Sequence, residues 1–147
     1  MIKDNFMKLV IPSYSSNEAF ARTAAAAFAA QLDPTVEEIN DIKAAVSEAV
    51  TNSIVHAYAD RIGNIEITAR ITDGNVFYIR IKDKGCGIAD IKQAMTPLFT
   101  TCGEGERAGL GFAVMESFTD KLRVTSNIGK GTSVTMTKHI KSRYEQN

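Results

Sequence analysis

Glu48, Asn52 and His56 stand one helical turn apart in a stretch that reads as helix, so they share one face. A carboxylate one turn from a carboxamide pairs a general base with an oxygen donor for Mg²⁺, a hard cation that prefers oxygen ligands and keeps part of its water. The same stripe is also what a solvated helix face looks like, and His56 alone reads as a packed or hydrogen-bonded histidine. A second group, Asp83-Lys84-Gly85-Cys86-Gly87, directly follows a strand-like run. Its glycines let the chain turn and a flat ligand approach the backbone, while Asp83 can accept a hydrogen bond from an exocyclic amino group. A plain turn fits it equally. The third group, Arg107 with Gly109-Leu110-Gly111, runs into a helix, where free backbone N–H groups can face phosphate oxygens and Arg107 can add a bidentate contact. Its alternative is a glycine-flanked helix start with a solvated arginine. Last, Gly131-Thr132 begins a strand, and the hydroxyl can reach a base edge or simply open the strand.

Several chemistries are excluded. Neither G-x-x-x-x-G-K-[ST] nor G-x-G-x-x-G occurs, so a phosphate site must be of another design. No G-x-S-x-G or H-E-x-x-H is present, and Cys86, Cys102, His56 and His139 lack paired metal-ligand spacing. Lysine plus arginine and aspartate plus glutamate balance at 17 each, which gives no general support to a nucleic-acid or anionic-membrane binder. No run approaches the ~18 apolar residues of a membrane span, and the first residues do not read as a signal peptide. Two cysteines are too few for a disulfide framework and suit a reducing cytoplasm.

The elements that must position these residues follow from periodicity. Lys8 to Ile11 is an apolar run stopped by Pro12, an edge strand. Ser15 and Glu18 are spaced as a capping box, and Phe20, Ala24, Phe28 and Leu32 then recur as the apolar stripe of a first helix. Asp33-Pro34 suits the start of a second, long helix whose core face is Val36, Ile39, Val46, Val50 and Ile54, running to about Tyr58. Ile65, Ile67, Ala69 and Ile71 alternate with polar residues as a half-buried strand, Asp73-Gly74 marks a hairpin, and Val76 to Lys82 returns. Asp83 to Gly111 is irregular and glycine-rich, the kind of connection that is usually functional. A helix over Phe112 to Phe118 and a strand pair, Leu122 to Ser126 and Thr132 to Thr137, complete the chain. Helices segregated from antiparallel strands give an α+β, two-layer sandwich with helices on one face of the sheet. The 147 residues form a single domain, with an ordered core over about 8–140 and a polar tail over 141–147.

Singly these signals are modest, but their order along the chain resembles the GHKL ATPase superfamily, which has the Bergerat fold and includes DNA gyrase, the histidine kinases and a group of small serine kinases. Ser47-Glu48-Ala49-Val50-Thr51-Asn52 followed by His56-Ala57-Tyr58 looks like the N-box of the small serine kinases. Ala19 to Thr35, Pro97-Leu98-Phe99-Thr100-Thr101 and Gly109-Leu110-Gly111-Phe112 look like their sporulation anti-sigma branch, and the resemblance covers nearly the whole chain. It implies a sheet of mixed, mostly antiparallel strands, and ATP and Mg²⁺ as cofactors. It makes Asn52 the Mg²⁺ ligand, Glu48 the base that prepares the incoming hydroxyl, and Asp83 the partner of the adenine amino group. Gly85 and Gly87 would shape the base pocket and Thr132 support it. Pro97 to Gly111 would be the ATP lid, with Thr100, Thr101, Arg107, Gly109, Leu110 and Gly111 around the phosphates. Relatives commonly carry lysine after the paired threonines, where this chain has Cys102.

Within the superfamily, the single helix before Asp33 contains no histidine, which disfavours autophosphorylation on histidine, and the long extra domains of the gyrase group have no counterpart. The phosphate acceptor is then expected on another protein. The resemblance implies transfer from ATP to a serine of an anti-anti-sigma factor, sequestration of a sigma factor of the sigma F type, a homodimer, and a cytoplasmic location without membrane or direct nucleic-acid contact. The presence of both Glu48 and Asn52 argues against an adaptor without phosphotransfer, and Ser16 to Arg22 favours the sporulation type over the general-stress type. Arg22, an isolated charge on an alanine-rich helix, is the expected anchor for the sigma factor.

Overall fold

Alternation from Ile65 to Ile71 puts every second residue on one side of an extended chain, and this segment becomes the interior of a sheet. A computed structural model describes residues 4–88 and 107–141. Five strands, β1 (Asn5–Pro12), β2 (Asn64–Thr72), β3 (Val76–Asp83), β4 (Lys121–Asn127) and β5 (Gly131–His139), lie in the order β1-β2-β3-β5-β4. Every neighbouring pair is antiparallel, so the described sheet is antiparallel throughout rather than mixed. Ile65, Ile67, Ala69 and Ile71 are all fully buried on the face that the helices cover. Each such isoleucine side chain contributes roughly 1.5–3 kcal/mol relative to an exposed one. Phe77, Ile79 and Ile81 of β3 and Val134 and Met136 of β5 extend the same floor.

Helix α1 (Asn17–Ala29) differs in phase from the expected stripe. Its buried residues are Ala21, Ala25, Ala26 and Ala29, while Phe20 is 54% exposed and Phe28 only partly covered. Methyl groups let α1 lie close against helix α2 and the first strands, an approach that a phenylalanine seam would prevent. Nor does the Ser15–Glu18 capping box form. The N-cap is Ser16 without a side-chain bond, and Glu18 instead accepts from Ser47 Oγ of α2 and pairs with Arg22.

After a 3₁₀ turn over Ala30–Leu32, Asp33 takes a left-handed conformation, and helix α2 (Val36–Asn52) is capped by Thr35 rather than by Asp33. Thr35 and Glu38 form a reciprocal capping box, and the other oxygen of buried Glu38 accepts the Lys141 N–H at 2.8 Å, which ties down the end of the core. The buried face of α2 is Ile42, Ala45, Val46, Ala49 and Val50; Ile39 and Ile54 are partly covered and Val36 is 79% exposed. The helix widens after Asn52 into a π turn, Ser53–Ala57, closed by Tyr58 N–H donating to the Ser53 carbonyl at 3.0 Å. Helix α3 (Arg107–Phe118) packs on α2 and sends Phe112 and Met115 into the core. Among the described residues no helix is long and apolar enough to cross a membrane.

Candidate functional site

The i, i+4 spacing of Glu48 and Asn52 holds, and both face the start of α3. A Cβ on Gly111 would stand 3.2 Å from both terminal atoms of the Asn52 carboxamide and 3.3 Å from Glu48 Oε2. Glycine there lets α3 sit directly over the pair. Neither Nδ2 nor Oδ1 of Asn52 has a hydrogen-bond partner among the described residues, although both are buried. Leaving a buried carboxamide unsatisfied costs about 1–3 kcal/mol, so this orphan points to a ligand that would complete it. Oδ1 is a hard oxygen donor suited to Mg²⁺. The described residues hold no cluster of three or more His, Cys, Asp or Glu able to hold a metal by themselves.

Asp83 ends β3 and is 5% exposed. Its Oδ2 accepts from Ser53 Oγ at 3.0 Å, and Oδ1 accepts from the Gly85 N–H at 3.0 Å and the Thr132 N–H at 3.2 Å. Burial pushes the carboxyl above its usual range, opposed by these bonds from Gly85, Ser53 and Thr132. A carboxylate has about four acceptor sites, so one remains for an added donor. Thr132 Oγ1 lies 2.8 Å from Ser126 Oγ, which also accepts from the Ile88 N–H at 2.7 Å. Asp83, Thr132 and Ser126 are thus one bonded unit across β3, β5 and β4.

The Asp83–Gly87 loop is clamped from both sides. The Cys86 N–H donates to the Ala57 carbonyl of the π turn at 3.1 Å, and the Gly129 N–H donates to the Cys86 carbonyl at 2.8 Å. Gly85 lies so close to Ala57 that a Cβ would collide with its carbonyl oxygen. Gly87 combines a φ of +77° with a like approach to the Asn127 backbone, so both positions require glycine. Tyr58 braces the outer side: its hydroxyl accepts from the Lys84 N–H at 2.6 Å and donates to the Asn64 carbonyl at 2.7 Å. Cys102 lies outside the described residues.

Glu48, Asn52 and Gly111 thus form one group, and Asp83, Gly85, Gly87 and Thr132 a second, joined through the π turn that carries Ser53 and Ala57. Arg107, Gly109 and Leu110 lie in the first turns of α3. Thr100 and Thr101 fall outside the described residues. Arg22 is not isolated: it pairs with Glu18 at 3.4 Å beside a cavity of about 330 Å³ lined also by Ser15, Ser47, Thr51, Ile54 and Val55, and it shares a neighbouring recess with Glu48. Sequence reasoning did not single out Ser53 or Ser126, and it named Tyr58 only as the end of a motif, without a role. The signal for Ser53 was the need of a buried Asp83 for donors, with a serine immediately after Asn52.

A family model described as histidine kinase-like ATPase domain matches residues 12–138. The anti-sigma F factor of Caldanaerobacter subterraneus subsp. tengcongensis is 61% identical over 137 residues, covering 93% of this chain and 95% of that protein. The anti-sigma F factor of Geobacillus kaustophilus is 50% identical over 137 residues, covering 92% and 93%. Among solved structures, the RsbU and RsbW domains of a Mycobacterium tuberculosis protein align with a TM-score of 0.68 at 19% identity, over 92% of this chain and 32% of that one. The histidine kinase domain of an Erythrobacter litoralis blue-light activated kinase aligns at 0.57 with 21% identity, over 88% of this chain and 62% of that one. At these identities the structural matches bear on the fold alone.

Proposed function

The chain belongs to the anti-sigma F factors, within the histidine kinase-like ATPase domain family, and from that premise we propose that it is an ATP-dependent protein serine kinase that also sequesters a sigma factor. The observation that carries the kinase reading is the buried, unpartnered carboxamide of Asn52 one turn from Glu48, with Gly111 against both. Asp83 accepts the adenine amino group at its remaining acceptor site, while Thr132 and the Gly85–Gly87 loop hold the base. Asn52 Oδ1 would hold Mg²⁺, which when bound would neutralise charge on the phosphates. Arg107 and the α3 N-terminus, with Gly109, Leu110 and Gly111, receive the phosphates; Thr100 and Thr101 are assigned to the same role from sequence. Glu48 takes the proton of the incoming serine hydroxyl as its oxygen bonds to the γ-phosphorus and the bond to ADP breaks. Catalysis rests on positioning and charge stabilisation.

The substrate is a serine of an anti-anti-sigma factor, which also competes for the kinase. The sequestered protein is a sigma factor of the sigma F type, as the relatives' name suggests, and Arg22 contacts it. The protein acts as a homodimer in the cytoplasm. The test is Glu48→Gln, which keeps the side chain's shape and removes proton acceptance. ATP affinity should be unchanged, while transfer of labelled phosphate to the anti-anti-sigma factor falls ~10²- to 10⁴-fold. Transfer at nearly the wild-type rate would remove Glu48 as the base.

A further inference from the structure

A net charge of zero conceals a separation by layer. Strand register places Lys8, Arg70, Arg80, Lys82, Lys121 and Arg123 on the sheet face turned away from the helices. Glu66 is the carboxylate within that face, and Asp4 stands at its edge, 3.9 Å from Arg70. On the opposite side, α2 carries Glu37, Glu38, Asp41 and Glu48 against Lys43 alone. Glu66 engages Lys8 at 3.2 Å and Arg80 at 3.8 Å. Lys82, Lys121 and Arg123 make no ion pair among the described residues.

Part of this face is recessed. Arg80, Lys82 and Lys130 line a cavity of about 260 Å³ together with Thr125 and Ser133, and Asp83 and Thr132 contribute to its wall. Arg80 Nε is buried without a hydrogen-bond partner among the described residues. An entering carboxylate would meet the Arg80 guanidinium and two further cations, with hydroxyls at its flank.

We propose that the open face of the sheet is a docking surface for an acidic protein segment, which inserts a carboxylate side chain between Arg80, Lys82 and Lys130. Charge complementarity favours this occupant over the others. A second copy set face to face would bring like charges together. A nucleic acid would want aromatic side chains for its bases beside the cations; the outward aromatics, Phe6 and Tyr78, stand on β1 and β3 in the row of Arg70, whereas the recess itself is lined by no Phe, Tyr or Trp. Glu66 also interrupts the cationic track that a phosphate backbone would follow.

Binding of a fluorescently labelled oligoglutamate peptide to the full chain, followed by anisotropy at low ionic strength, tests the proposal. The peptide should bind saturably and more weakly as salt is added. The double variant Lys82→Glu with Lys130→Glu should bind it about tenfold more weakly, whereas Glu37→Lys, exposed on α2, should bind at least as tightly as the wild type. Thermal melting and ATP titration check that the variants are folded. Unchanged peptide affinity in the folded double variant overturns the proposal. So does tighter binding of a single-stranded DNA oligonucleotide of equal charge, which assigns the face to nucleic acid. Loss of self-association in the double variant also overturns it, by assigning the face to a second copy.

Discussion

Replacing Asp83 by asparagine separates two jobs of one carboxylate, holding the loop together and recognising the base. The amide Oδ1 can still accept the Gly85 and Thr132 N–H groups, now at 3.0 and 3.2 Å. Nδ2 replaces the oxygen that faces Ser53, whose hydroxyl can reverse and accept. The local structure should therefore survive. Burial raises the Asp83 pKa above its ordinary 3.8, so ionisation costs the native state. That cost is absent below the ordinary value, sets in as pH rises through the raised folded value, and is fully present above it. Asp83→Asn removes it, so the variant should melt no lower than wild type at neutral pH, with any advantage vanishing toward pH ~4. Nucleotide binding should respond in the opposite direction, because the adenine amino group would meet an NH₂ donor. Losing one hydrogen bond to a charged group costs about 1.5–3 kcal/mol, or about 10- to 150-fold in Kd. Calorimetric titration with ATP and with purine riboside triphosphate, which lacks the amino group, completes a double-mutant cycle. Wild type should discriminate between the two ligands and Asp83→Asn should not. Equal discrimination by both proteins would refute the assignment of Asp83 to the amino group.

Gly85→Ala should destabilise the fold by about 1–3 kcal/mol, read by denaturant titration, because the added methyl meets the Ala57 backbone carbonyl rather than a side chain able to move aside. Wild-type stability would show that the clamp yields. Arg22→Ala should leave stability nearly unchanged, since its partly exposed pair with Glu18 is worth at most about 1 kcal/mol. It should weaken capture of the sigma factor without altering ATP affinity; a parallel loss of both in calorimetry would indicate a folding defect instead.

The sheet was the most legible part of the chain, because period two admits one phase: Ile65 to Ile71 alternate and all face inward. Helix phase was harder to read. In α1 the apolar scale ranks phenylalanine above alanine, yet close approach to α2 selected the alanine face and left Phe20 outside. At the start of α2, two overlapping cap signals competed; Thr35 won because Glu38 three residues on returns the bond. Glu48, Asn52, Asp83 and Thr132 could be named from spacing and order, since each lies in or at the end of a regular element. The π turn could not, because widening a helix by one residue leaves no mark on composition. Ser53 and Tyr58 depend on that turn for their direction, and Ser126 becomes relevant only once β4 and β5 are paired.

The double clamp on the loop after β3 has a consequence for solvent. Lys84 gives its N–H to a tyrosine hydroxyl, Gly85 to a carboxylate, Cys86 to the π turn, and Cys86 in turn receives the Gly129 N–H. None of these amides belongs to a helix or a ladder, yet releasing them requires the end of α2 to part from the β4–β5 turn. Their deuterium uptake should accordingly be slow and share one opening event, an island of protection in irregular backbone where rapid, independent exchange is the rule.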